Sequence, residues 1–243
     1  MTEEASTDRF NPDQPAGDPE SGYRLNFDPS PSAIFHDFCG ENKIEGASCP
    51  HCKKPLLRLL TLNTNDEALN IDPKTLPAVH LLYCWNCSIP FGEFSYKIEN
   101  DGSVVLLQYP PRMPESEHGP DGPRDGYTGE FVHRRVSLDG IGQEEQARYK
   151  DFWNSIDADP YDCGVDTIGH QVGGFPFIYN PCRTKCPSCT EDMPLLASIC
   201  DDATGNSPDS VSECDSFVGN CGVQMVFHFC RKCSIVTGYS SCD

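Results

Sequence analysis

Eight cysteines fall into four Cys-x2-Cys pairs, and the pairs form two sets: Cys49/Cys52 with Cys84/Cys87, and Cys186/Cys189 with Cys230/Cys233. A tight turn of this spacing holds two thiolates about 3.5 to 4 Å apart, one edge of a tetrahedron with Zn–S bonds of about 2.3 Å. Two such turns complete a four-coordinate shell with no open position for water or substrate, so the metal they hold is structural. The spacing therefore predicts two structural zinc ions, one in each set. Thirty-one residues separate the pairs of the first set and 40 those of the second, room for a strand, a loop and a returning strand. Binding energy at such a site becomes folding energy.

Disulfides are the first rival reading, since the chain has 15 cysteines. The odd total leaves one thiol over in any all-disulfide scheme, and a reducing cytosol opposes the bonds. His51 lies inside the first turn and is an alternative ligand, although four thiolates already fill that shell. Cys182-x3-Cys186-x2-Cys189 matches the spacing of the radical S-adenosylmethionine iron–sulfur motif. That chemistry needs a large partial barrel after the motif, and only 54 residues follow Cys189. Seven cysteines stand outside both sets: Cys39, Cys163, Cys182, Cys200, Cys214, Cys221 and Cys242. They read as small buried residues. Cys163 and Cys221 each precede a glycine and are candidates for reactivity, with no histidine or carboxylate placed beside them by sequence.

The elements around the cysteines recur. The first copy reads CPHC-KKPLLRLLTLNTND and then LLYCWNCSIPFGEF; the second reads CPSC-TEDMPLLASICDD and then FHFCRKCSIVTGYS. Each has a Cys-Pro-x-Cys turn, a Pro-Leu-Leu strand, an acidic loop, and an apolar strand running into Cys-x-x-Cys-Ser-Ile. Internal duplication is the simplest account. Further strands are expected at 80–83, 93–98, 104–109 and 131–136. One clear helix is expected at Gln143 to Ile156, with Tyr149, Phe152, Trp153 and Ile156 on one face as core packing. The expected class is α+β: a sheet-rich, internally duplicated fold with two zinc-ribbon-like four-cysteine sites and that helix. The expected organisation is a disordered acidic tail at 1–30, a first repeat at 31–109, a flexible Pro/Gly-rich linker at 110–130, and a second repeat at 131–243.

A formal charge of −19 repels phosphate backbones, so these sites do not read as nucleic-acid fingers. It favours a basic protein partner, or simply solubility. No run of 18 apolar residues exists to cross a membrane. The acidic, polar N-terminus is the opposite of a secretory signal, and a cytoplasmic protein is expected. Between Lys185 and Arg231 there is no basic residue, yet Glu191, Asp192, Asp201, Asp202, Asp209, Glu213 and Asp215 occur. This acidic loop is a candidate clamp for a basic client, set against its plain reading as a solvated loop.

The stretch His170-Gln171-Val172-Gly173-Gly174-Phe175-Pro176-Phe177 resembles the Lys-x-Gly-Gly-x-Pro signature of the bacterial YwqG-like family. Leu195-Leu196-Ala197-Ser198 and Gly219-Asn220-Cys221-Gly222-Val223 stand where that family has a Leu-Leu-Gln strand and a Gly-Asp-x-Gly segment. The likeness covers mainly residues 168 to 235. The chain is also similar to the programmed-cell-death-protein-two group, which shares Gly-Gly-x-Pro followed by zinc-type Cys-x-x-Cys pairs. It departs from these patterns in two places: the first repeat has no Gly-Gly, and a His-Gln pair precedes the second. The resemblance implies a duplicated, sheet-rich fold without catalytic residues. It implies an immunity protein that neutralises a toxin, or a chaperone-like binder of a basic ribosomal-type protein. An enzyme ranks third, since neither a paired-carboxylate constellation nor a phosphate loop is present. The paired glycines also have a backbone explanation, a tight turn or a close approach between chains.

Overall fold

The computed structural model describes residues 22–84, 93–109, 133–154, 169–176, 178, 182–200 and 223–242. Eleven strands and one α-helix lie among them: β1 Gly22–Asn26, β2 His36–Phe38, β3 Leu57–Asn63, β4 Ala78–Tyr83, β5 Phe94–Ile98, β6 Val104–Gln108, β7 Arg134–Gly140, α1 Gln143–Asn154, β8 Gln171–Gly173, β9 Leu195–Cys200, β10 Val223–Cys230 and β11 Ile235–Cys242. Every strand pair is antiparallel, and the strands form one sheet in the order β4-β3-β2-β7-β1-β8-β9-β10-β11-β5-β6.

Two expectations change here. Strand β1 at Gly22–Asn26 falls inside the stretch expected as a disordered tail at 1–30, and it pairs with β7 on one side and β8 on the other. The halves expected at 31–109 and 131–243 are also woven together. Strand β7 enters between β2 and β1, and β5–β6 leave β4 to join β11. The expected linker at 110–130 lies outside the described residues, as do the acids 201–215 and Cys87.

Alternation along the strands sorts the side chains onto two faces. On β10, Met225, Phe227 and Phe229 enter a large core with Phe38, Leu60, Leu81, Phe94, Tyr96 and Val236. That core draws on both ends of the strand order, so it lies inside a curl that brings β4 against β5 and β11. Tyr83 of β4 meets Phe94 of β5 edge to face, with ring centroids 6.2 Å apart. Tyr96 closes the seam: its buried hydroxyl donates to the His80 carbonyl (2.6 Å) and accepts from the Leu82 N–H (2.8 Å). Those backbone groups belong to terminal strand β4, whose outer edge would otherwise lack partners. Each large side chain buried in this interior contributes about 1.5 to 3 kcal/mol.

Helix α1 is described over Gln143–Asn154, within the expected Gln143 to Ile156, and carries Glu144 and Glu145 in its first turn, where the helix dipole favours acids. Glu145 pairs with Arg24 of β1. The side chains of Tyr149, Phe152 and Trp153, and all of Ile156, lie outside the described residues. The helix docks through Gln146, whose Oε1 accepts from Phe175 N (3.1 Å). Gly173 and Gly174 both have positive φ, 65° and 61°. A Cβ at Gly174 would sit 2.4 Å from Gln146 Oε1 and 2.7 Å from Gly22 Cα. The Gly-Gly pair thus serves backbone geometry at a three-way contact. No helix among the described residues is long and apolar enough to cross a membrane.

Candidate metal centres

The two cysteine turns fold with the same hydrogen bonds at the same offsets. In the first, Cys49 N donates to Lys54 O (2.8 Å) and Lys53 N to Cys49 O (3.0 Å), with Lys53 at φ 63°. In the second, Cys186 N donates to Glu191 O (2.9 Å) and Thr190 N to Cys186 O (2.8 Å), with Thr190 at φ 62°. A one-residue bridge closes each turn, Ser48 with Pro55 and Lys185 with Asp192. Neither Lys53 nor Thr190 is glycine, so each turn carries a left-handed strain of about 1 to 2 kcal/mol. The chain then enters β3 or β9, and the returning strand delivers the next cysteine: Cys84 directly after β4, and Cys230 at the end of β10. Cys233 lies in the turn between β10 and β11, where its N–H reaches Cys230 O (3.3 Å).

Cys186, Cys189, Cys230 and Cys233 come together with all four sulfurs within 4.8 Å of one another, and Cys49, Cys52 and Cys84 do the same. The Cys189–Cys230 sulfurs are 3.7 Å apart and the Cys52–Cys84 sulfurs 3.8 Å. A disulfide would require about 2.05 Å, whereas the edge of a tetrahedron with Zn–S bonds near 2.3 Å is about 3.8 Å. Among the described residues no disulfide joins the cysteines of either cluster. Soft thiolate donors gathered at this spacing suit zinc or an iron–sulfur centre, so both clusters can hold a metal ion.

Ionisation within the clusters follows the same logic. Cys49 is drawn down to about 4, first by the thiol of Cys84 against the cost of burial, and further by the N–H groups of Cys52 and His51. Burial resists ionisation of Cys186, but the N–H groups of Cys189 and Ser188 and the neighbouring thiols bring it below its ordinary value. Cys230 is pushed up to about 12, chiefly by burial and then by the thiols around it. Four thiolates cannot share one small volume without a cation. The first ionises easily, the last resists, and a bound dication removes the conflict. Lys232, on the Cys230–Cys233 turn, pairs with Glu191 at 2.8 Å. Glu191 raises its pKa first, with the Cys189 and Cys233 charges adding to the effect.

The remaining candidates separate from the clusters. Cys182 is exposed, its N–H bonded to the Tyr239 hydroxyl (3.0 Å). The second cluster recruits Cys230 and Cys233 to Cys186 and Cys189 rather than Cys182, which is not the arrangement the iron–sulfur spacing would use. His51 stands edge-on to Tyr109, centroids 5.2 Å apart, and is not among the clustered ligands. Cys39 is buried, and its carbonyl accepts from Arg58 Nε (3.0 Å) and Nη2 (2.7 Å). Cys200 is buried too, its thiol donating to Gly169 O (3.2 Å). Cys163, Cys214 and Cys221, and the side chain of Cys242, lie outside the described residues. Of the acidic run, Glu191 is engaged by Lys232 and Asp192 sits in the turn-closing bridge.

Three residues that position these elements carry no signal in cysteine spacing: Tyr96 at the seam, Gln146 at the helix dock, and Arg231. Arg231 Nη1 donates to Leu69 O (2.8 Å) and Asn70 O (2.6 Å), tying the second cluster to the loop after β3. No family model matches the chain, and neither a curated protein nor a solved structure is found similar to it.

Proposed function

We propose that the chain is a zinc-stabilised module that works by stoichiometric binding of another, basic protein, in the manner of an immunity protein that neutralises a toxin. The observation that carries the reading is the gathering of four thiols at Cys186, Cys189, Cys230 and Cys233. A metal enclosed by four thiolates has no position for substrate, so its role is to hold the fold. The first cluster takes its fourth ligand from Cys87 on this reading. The matching bonds of the two turns support an internal duplication that placed one ion in each copy.

Support for a protein-binding role comes from the surface. Val105, Leu107 and Tyr109 are large apolar residues exposed on or beside strand β6, the last strand in the order. Grouped apolar exposure of this kind marks interaction surfaces. Asp101 stands in the hairpin leading into β6, beside Glu99, which Lys97 already pairs; the charge of −19 on the chain favours a cationic partner by steering. His170 Nδ1 accepts from the Cys200 backbone N–H (3.1 Å), and the Cys200 thiol donates to Gly169 O (3.2 Å).

Elemental analysis of protein prepared without added metal tests the first part, with two zinc ions per chain expected. Capture of partners from the native cell by the wild type and by Leu107→Lys tests the second. A basic protein retained by the wild type and lost from the variant and in high salt is the expected outcome. A partner whose retention is indifferent to both changes overturns the assignment of this surface.

A further inference from the structure

We propose that a cavity beside the second cysteine turn binds a carboxylate carried on a small apolar body. The cavity measures ≈ 190 Å³, with Ile71, Leu76 and Phe229 as its apolar wall and Asp72, Thr75 and Arg231 among its polar lining. The guanidinium of Arg231 is the group that selects the ligand. Its Nη1 spends both hydrogens on the carbonyls of Leu69 and Asn70. The Nε–H and Nη2 hydrogens have no hydrogen bond or ion pair among the described residues. That remaining edge is a planar two-donor fork, the shape that meets both oxygens of a carboxylate in parallel bonds.

The acid in the same cavity does not serve as the counter-ion. Asp72 is turned into its own loop, where Oδ1 accepts from Lys74 N (2.9 Å) and Oδ2 from Thr75 Oγ1 (3.1 Å). Arg231 is an exposed residue that also lines the cavity, so its guanidinium is open to an arriving ligand. A carboxylate that meets this edge gains charge-assisted, paired hydrogen bonds at contact distance. The negative charge of the whole chain acts against an anion, but it is screened beyond about 8 Å in physiological salt. The volume is below the roughly 300 Å³ of common ligand sites and equals about six waters. That suits a short acyl or aryl acid, or the last residue of a peptide.

The test uses the full-length, metal-containing chain labelled with ¹⁵N, reading the Arg231 Nε–Hε resonance, which Arg231→Lys identifies by its loss. Hexanoate is expected to shift this resonance saturably in the millimolar range, and hexanamide to bind at least about tenfold more weakly. Ile71→Phe, which fills the cavity from its apolar wall and leaves the guanidinium bonds in place, is expected to weaken hexanoate about tenfold or more. A tetrapeptide ending in free leucine, compared with its amide, separates the sources. Tighter binding by the free-acid peptide than by hexanoate assigns the site to a protein C-terminus, and the reverse assigns it to a free acid. Equal effects of hexanoate and hexanamide, a shift that does not saturate, or full affinity in Ile71→Phe overturns the proposal. The wild-type comparison of acid with amide stands even if the variant fails to fold.

Discussion

A thiol at position 186 is useful only in company: it joins three others, and removing its sulfur leaves three thiols that hold a dication poorly. On the proposed reading of two zinc ions per chain, Cys186→Ser is therefore expected to halve the metal content, as elemental analysis would report. A change that leaves both ions bound would remove Cys186 from the ligand set. His80 gives a residue-scale prediction of another kind. Burial, then the charge of Arg58, hold its pKa down to about 4, while its Nδ1 contacts Thr61 Oγ1 at 3.1 Å. Because the folded value lies below the unfolded one, near 6.5, the unfolded chain binds the extra proton first. Stability from this group is complete above about pH 6.5 and is lost as the pH falls through about 4. At pH 5 the loss amounts to at most about 2 kcal/mol, since the ring is only part-buried. Denaturant titrations at pH 7.5 and 5 should show His80→Gln losing less on acidification than the wild type. An unchanged difference would mean that His80 is not the titrating group.

At the scale of elements, contacts that seat one strand on another decide the cost of a change. Tyr96→Phe removes a hydroxyl and strands two buried groups on β4, Leu82 N–H and His80 O. Each orphaned group costs about 1 to 3 kcal/mol, so a loss of about 2 kcal/mol or more is expected in equilibrium unfolding. A loss below about 0.5 kcal/mol would show that the seam closes without it. Gly174→Ala places a methyl against Gln146 and the backbone of Gly22 at positive φ. It should cost about 2 to 3 kcal/mol, with loss of helix α1 signals before those of the sheet. The cysteine turns were legible in the sequence because their geometry is local: two ligands three positions apart, then a strand opening on Leu-Leu. Strand β1 was hidden in a polar tail, although Tyr23, Leu25 and Phe27 alternate with Arg24 and Asn26 and gave a usable period of two. Strands β2 and β8 are three residues each, too short for any periodicity to register. The departure of β5 from β4 to β11 could not be read, because it depends on partners more than a hundred residues away.

On the scale of the whole molecule, the two clusters occupy unequal places in one sheet. The first anchors β3 and β4 at one end of the strand order, where β4 has a strand on one side only. The second sits among β9, β10 and β11, and β11 in turn carries β5 and β6. A structural metal site contributes its binding free energy, often about 10 kcal/mol or more in small zinc domains, directly to folding. Its loss should therefore travel as far as the strands that depend on it. In Cys49→Ser, faster amide exchange is expected in β3 and β4, while β9 to β11 keep their protection. In Cys186→Ser, loss is expected in β9, β10 and β11 and also in β5, Phe94–Ile98, which lies far from Cys186 in sequence but pairs with β11. Arg231 adds a second route, since its two bonds carry the disturbance to Leu69 and Asn70. Hydrogen exchange read strand by strand separates these patterns. Equal loss throughout both variants would mean that the sheet unfolds as a single unit, and the different reach assigned to the two metals would be wrong.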